Sequence, residues 1–209
     1  MVLTLATVIL SYLVGSIPTG YIVGRLSKGI DIRNYGSGNI GFTNALRVLG
    51  VVPGIIVLLA DVGKGTTAVL AISRLGRLQP NVLTPYLPAL CGAFAIVGHI
   101  WTIFLKFRGG KGVATSLGIF ISLSPLAGLI SLGVWIIVVA VTRYVSLGSI
   151  LLCLSFCAVV SLTNSQYIWG IRILALVVTI IVIYRHKENI QRLIRGEERK
   201  FGHREQPSV

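Results

Sequence analysis

The chain has 209 residues, is 54% hydrophobic and only 12% charged, and carries a net charge of +13. A soluble domain averages about 25% charged residues, so this balance excludes an ordinary soluble fold and points to one integral membrane domain over 1–209, without a linker. The basic residues lie between apolar runs and at the C-terminus, as in cytoplasmic loops, so the positive charge does not argue for nucleic acid.

The apolar run 2–23, followed by Arg25, Lys28 and Arg33, predicts a retained first span over 2–25 with its N-terminus outside. Ser16-Ile17-Pro18-Thr19-Gly20 predicts a kink near its end. A polar segment, 26–47, follows, with a short interfacial helix at 43–50. Span two lies within 51–75 and is interrupted by Asp61-Val62-Gly63-Lys64-Gly65. Span three covers 85–105 and leads into the polar turn Lys106–Gly112.

The run 113–142 exceeds the roughly 20 residues of an ordinary span. Ser124-Pro125 divides it into a short span at 113–123 and another at 126–142. Arg143-Tyr144-Val145-Ser146 predicts a tight turn. Span six is 147–163, and Thr163-Asn164-Ser165-Gln166 connects it to span seven at 167–184. A basic tail, suited to anionic headgroups, begins at Arg185 and occupies the cytoplasm from about 186. Cys91, Cys153 and Cys157 sit in apolar segments, and their odd number without a ligand set suits neither disulfides nor zinc.

The expectation is therefore an all-α protein of seven transmembrane helices, N-terminus outside and C-terminus cytoplasmic. This places fifteen of the 19 Lys and Arg on the cytoplasmic side. It also gathers segments 31–47, 106–112, 143–146 and 185–189 at one face, which predicts a single site there.

The polar stretch Gly36-Ser37-Gly38-Asn39-Ile40-Gly41-Phe42-Thr43-Asn44-Ala45-Leu46-Arg47 is the strongest candidate. Glycines let successive N–H groups converge on an anion, and a helix starting at Thr43 or Asn44 adds its N-terminus. Arg47 supplies a two-pronged clamp. A polar turn is the plainer account of such a cluster, but the basic residue and the membrane setting favour the anion site. Phe107-Arg108-Gly109-Gly110-Lys111-Gly112 has similar character, although any cytoplasmic loop collects cations. Gly112 after Lys111 and Gly65 after Lys64 rule out the nucleotide P-loop pattern.

Asp61 and Lys64, three apart in an apolar run, suit an internal supporting pair, and His99 a packing role. His186 and Asn189 share a face just past span seven, where a solvated helix face is the plainer reading. No Ser-His-Asp set, His-Glu-x-x-His motif or cytoplasmic carboxylate pair is evident, and only six Asp and Glu exist. Anion donors without bases suit an already activated substrate, for which positioning and charge stabilisation suffice.

The chain resembles the bacterial acyl-phosphate:glycerol-3-phosphate acyltransferases of the PlsY type. The resemblance rests on 15–20, 36–47, Asp-Val-Gly-Lys-Gly at 61–65, Gly98-His99 with 107–115, Arg-Tyr-Val-Ser at 143–146, and His-Lys-Glu-Asn-Ile-Gln-Arg-Leu at 186–193, all in register. It implies a bacterial inner-membrane enzyme, active at the cytoplasmic face, that moves an acyl group from acyl phosphate to the 1-hydroxyl of glycerol 3-phosphate. It implies no cofactor, no metal and no obligate protein partner.

On this resemblance Ser37, Arg47, Lys106, His186 and Asn189 form the reacting centre. Gly38, Asn39, Gly41, Thr43, Asn44, Lys111 and Ser146 bind substrate, with Lys106 rather than Lys111 in direct contact. Asp61, Lys64 and His99 support them. The hydroxyl proton is expected to pass to a substrate phosphate oxygen. Broken helices and buried charges also suit a carrier of a phosphorylated metabolite, but no internal repeat supports that alternative.

Overall fold

The computed structural model describes residues 1–162 and 168–202. The predicted connection Thr163-Asn164-Ser165-Gln166 and the Glu205 region lie outside them. The described residues are helical, without β-strands.

Helix α1 (Val2–Ser16) hides small polar residues, not large apolar ones: Thr4, Thr7, Ser11, Gly15 and Ser16 are buried, while Leu5 and Ile9 are exposed. In lipid this pattern is expected, because small residues let helices approach closely while hydrocarbon-facing leucines gain nothing from burial. The helix packs on α6 (Leu87–Ile100), where a side chain at Gly15 would collide with the Ala95 carbonyl. Two of its hydroxyls bond within the helix: Thr7 Oγ1 donates to the Thr4 carbonyl and Ser11 Oγ to the Thr7 carbonyl, each at 2.8 Å.

The predicted kink is a complete break. α1 stops at Ser16 and α2 (Thr19–Lys28) restarts after Pro18. Carbonyls freed there find donors elsewhere in the chain. Ser16 accepts from Thr102 Oγ1 at 2.5 Å, and Ile17 and Gly15 accept from Lys64 Nζ at 2.8 and 3.3 Å. Unmet carbonyls at this depth are costly, so the break depends on those distant donors.

After the polar loop come α3 (Phe42–Leu49) and α4 (Val51–Thr67). The helix begins one residue before the predicted Thr43. Asp61–Gly65 does not interrupt span two. The helix runs through it, because Lys64 Nζ lies 2.7 Å from Asp61 Oδ1 and both charges are buried together. The irregularity comes later, as one wide π-turn at Ala68–Ile72 before α5 (Ser73–Gly76).

α7 (Val113–Leu123) has 11 residues. At 1.5 Å per residue that is about 16 Å, short of a hydrocarbon core of about 30 Å. It is enclosed by protein: Thr115, Ser116, Ile119 and Phe120 have no exposed surface. Phe120 stacks on Phe156 of α9 (Val145–Leu162), with ring centroids 3.7 Å apart.

α8 (Pro125–Thr142) and α9 (Val145–Leu162) turn at Arg143, which takes the left-handed conformation with φ 64°. Ser146 therefore lies in the first turn of α9, not in the connecting turn. α10 (Ile168–Arg185) meets α11 (Lys187–Ile194) at a 60° bend, so His186 sits at the corner rather than along one continuing helix.

Among the described residues, five helical stretches are long and apolar enough to cross a membrane: Val2–Lys28, Val51–Gly76, Thr84–Leu105, Pro125–Thr142 and Val145–Leu162. The bent pair beginning at Trp169 makes a sixth when it is counted as one span.

Candidate active site

The 36–47 loop is held by one side chain. Asn44 is buried, and its Oδ1 accepts from the Ser37 N–H at 2.9 Å. Its Nδ2 donates to the carbonyls of Asn39, Tyr35 and Ile32 at 2.8, 3.1 and 3.3 Å. That amide is fully occupied inside the loop, so Asn44 shapes the site although it also lines it. Gly36 and Gly38 have φ of +61° and +69°, and a side chain on Gly36 would overlap the Asn44 oxygen. Asn39 Oδ1 accepts from the Gly41 N–H at 2.9 Å, which sets the entry to α3.

The loop opens onto a cavity of about 200 Å³. Ser37, Asn39, Gly41, Thr43, Asn44 and Arg47 line it. So do Lys111, Ser146, His186 and Asn189, together with Asp61 and His99. The lining also has an apolar part, with Leu58, Leu117, Leu132, Trp135 and Leu152. Gly38 opens with Ser37 and Asn39 onto an adjoining outer cleft.

Lys106, expected in direct contact, is not among the lining residues. It sits exposed in a left-handed turn, φ 53°, beside Phe107 at φ 61°. That turn folds the following glycines back over the end of α6. The Gly109 and Gly110 N–H groups donate to the Ile100 and His99 carbonyls, each at 3.0 Å. A side chain on Gly110 would strike the His99 ring, so this close passage requires glycine. The result brings Lys111, not Lys106, into the cavity.

Lys64 lies behind the cavity, bonded to Asp61, to His99 Nδ1 at 3.3 Å, and to the α1 carbonyls. Asp61 Oδ1 also accepts from Thr19 Oγ1 at 2.5 Å. This buried network ties the α1–α2 break to α4 and α6, and through His99 to the Lys111 loop.

Lys111 Nζ donates to Asn189 Oδ1. Burial pulls the ammonium down to about 8, and the Glu198 carboxylate opposes that fall. Burial and the positive charge of Lys111 push His186 down to about 4, so its imidazole is neutral near pH 7. Its Nδ1 lies 2.7 Å from the Val182 carbonyl. A carbonyl only accepts, so Nδ1 carries the proton and Nε2 is left as an acceptor. A histidine with so low an affinity for protons is a weak base and a good hydrogen-bonding wall.

Three charged cavity residues were not anticipated. Glu198, Arg192 and Arg199 come from the tail, where sequence alone shows only mixed surface charge. Glu198 Oε1 accepts from Asn189 Nδ2 at 2.6 Å and Ser146 Oγ at 2.8 Å, and Oε2 from Arg192 Nε at 2.8 Å. Burial favours the protonated acid, but these bonds outweigh it and hold the carboxyl below its usual value. Its separation of 52 residues from Ser146 hides the pairing in a linear reading.

The family model for glycerol-3-phosphate acyltransferase matches residues 5–196. The chain belongs to the glycerol-3-phosphate acyltransferase family. A family member from Desulforudis audaxviator is 47% identical over 93% of this chain and 94% of its own, and one from Synechococcus elongatus is 44% identical over 95% of each. The crystal structure of PlsY, an integral membrane glycerol 3-phosphate acyltransferase, in its glycerol 3-phosphate form superimposes with a TM-score of 0.85 at 38% identity, covering 95% of this chain and 96% of that one. Its lysophosphatidic acid form gives 0.82 at 38% identity, covering 95% of each chain. The acyltransferase family and a multi-pass membrane fold are thus the setting for the cavity.

Proposed function

We propose that this cavity transfers a fatty acyl group from acyl phosphate to the 1-hydroxyl of sn-glycerol 3-phosphate, giving lysophosphatidic acid and phosphate. The observation that carries the reading is the lining itself. Arg47, Lys111 and the 36–43 loop offer donors, and Leu58, Leu117, Leu132, Trp135 and Leu152 offer apolar surface to the same cavity. Both substrates carry phosphate and one carries a long chain, so a single cavity of this polarity suits the pair. The glycerol 3-phosphate and lysophosphatidic acid forms of the matched crystal structures agree with that substrate and product.

In this reading the loop N–H groups, the start of α3 and Arg47 hold the phosphoryl group of the donor. Lys111, Ser146, His186 and Asn189 hold glycerol phosphate. The glycerol oxygen attacks the acyl carbon and the bond from that carbon to the phosphate oxygen breaks. Phosphate leaves with its charge matched by the donors. The hydroxyl proton passes to a phosphate oxygen, which fits a His186 too weakly basic to be an efficient acceptor. Lys106 enters only if its turn moves toward the cavity when substrate binds.

We further propose that α7, enclosed by its neighbours, completes seven crossings of a bacterial inner membrane, with the N-terminus outside and the site at the cytoplasmic face. Two ends of the bundle support this. Asn81 Nδ2 donates to Thr4 Oγ1 at 2.8 Å, so the 77–86 segment packs beside the start of α1. The cation-rich segments gather at the other end.

Purified protein supplied with palmitoyl phosphate should release phosphate only when glycerol 3-phosphate is present. Palmitoyl-CoA should not replace the donor. Arg47→Ala should lower the rate by about 10²–10³, the range for removing a charge-stabilising donor. Release without glycerol 3-phosphate, or an Arg47→Ala enzyme of normal rate, would overturn the reading.

A further inference from the structure

The tail contributes an anion to a site built for anions. After α11 the chain reverses at Gly196, φ +73°, and the Glu197 N–H bonds back to the Arg192 carbonyl at 2.8 Å. Residues 197–202 then cross to the α8–α9 corner. The Phe201 N–H donates to the Arg143 carbonyl at 2.7 Å, and an Arg143 guanidinium nitrogen donates to the Phe201 carbonyl at 3.0 Å. The strap is pinned at both ends, with Glu198 between the pins and directed inward. The family-model match stops at residue 196, immediately before this strap.

Glu198 takes up the donors that a substrate phosphate would use. Ser146, Asn189 and Arg192 all point to its two oxygens, and both oxygens line the bond network at 2.6–2.8 Å. Its side chain is only 6% exposed. A carboxylate held by three donors is an isostere of the phosphate oxygens that the same donors suit. Two such anions cannot share one set of donors without strong repulsion.

We propose that Glu198 is an internal competitor for glycerol 3-phosphate, occupying its phosphate subsite until substrate displaces the strap. The proposal rests on the reading that Ser146 and Asn189 hold glycerol phosphate. Displacement makes the site selective for a ligand that outbids the carboxylate, which a doubly charged phosphate does and a neutral polyol does not. It also lowers apparent affinity by the fraction of molecules whose subsite is open. The hydrogen bonds of Glu198 reach Ser146 and Asn189, the residues read as holding glycerol phosphate.

Steady-state kinetics on the full chain test this, with palmitoyl phosphate and glycerol 3-phosphate varied separately. Glu198→Gln and Glu198→Ala should both lower KM for glycerol 3-phosphate by about tenfold, corresponding to about one wild-type molecule in ten with an open subsite. Neither should lower kcat or change KM for palmitoyl phosphate. Inorganic phosphate should inhibit both variants more strongly than wild type, by competition with glycerol 3-phosphate. An unchanged or raised KM, or a fall in kcat, would overturn the proposal and make Glu198 a fixed brace for Asn189 and Arg192. Ser146→Ala in the Glu198→Gln background separates the two layers: it should raise KM for glycerol 3-phosphate. If it leaves that KM unchanged, the subsite assignment fails and the competitor role fails with it. If it raises KM while Glu198→Gln alone has no effect, only the competitor role fails.

Discussion

Lys111 links burial to pH dependence. Its ammonium is pulled down to about 8 because it is buried, and the Glu198 carboxylate offsets only part of that fall. A bound phosphate favours the charged form and raises that value. Above pH 8 the free enzyme therefore loses a proton that the substrate complex retains, and binding must take one up. KM for glycerol 3-phosphate should rise above pH 8, approaching about tenfold per pH unit if one proton is taken up. In Lys111→Arg the limb should vanish, because a guanidinium stays charged throughout. A pH profile of both enzymes checks this, and an identical alkaline limb in the variant would assign the titration to another group.

Residue-level reading reached much of the cavity lining but not its wiring. Ser37, Thr43 and Arg47 were legible because small polar and basic residues in an apolar chain have few other uses. Asn44 was legible as important, yet its role as the loop's internal clasp depends on which way its amide faces. The choice between Lys106 and Lys111 turned on two consecutive left-handed residues, Lys106 and Phe107, a conformation that non-glycine sequence does not advertise. Glu198 was invisible because a tail glutamate reads as solvated until the strap is seen to fold back.

Among the elements, the α1–α2 break is the most exposed to disruption. Pro18 explains why the helix stops, and the sequence reveals that much. It does not reveal that Lys64 supplies the missing donor, because the two lie 47 residues apart. The same ignorance made Asp61–Gly65 look like a gap: two charges in an apolar run suggest an unwound segment unless they neutralise each other along an unbroken helix. Lys64→Met should leave the Asp61 carboxylate without its counter-charge and the Gly15 and Ile17 carbonyls without their donor. Removing one partner of a buried pair costs about 3–5 kcal/mol. The half-life of the detergent-solubilised protein at a fixed elevated temperature should therefore shorten sharply, since irreversible loss is governed by the unfolding rate. Asp61→Asn combined with Lys64→Met should be less damaging than Lys64→Met alone, because no unpaired charge remains. A double variant as unstable as the sum of its parts would show that the pair is not coupled.

Taken as a whole, the molecule has two unlike ends, and the proposed orientation can be argued from them. One end gathers the 36–47 loop, the Lys111 loop, the α10–α11 corner and the strap around one cavity. The other carries the 77–86 segment against the start of α1 through Asn81 and Thr4. Substrate phosphates and anionic inner-leaflet headgroups both favour the first end facing the cytoplasm. Ser27 and Gln79 are exposed at the two opposite ends, while Cys91 and Cys153 are buried and Cys157 is half-buried, so a single introduced thiol gives a clean label. In intact cells a membrane-impermeant maleimide should label Gln79→Cys and should reach Ser27→Cys only after permeabilisation. The reverse pattern would invert the protein and place its cavity outside. Labelling of both in intact cells would separate them from opposite faces altogether, and the count of crossings between them would have to change.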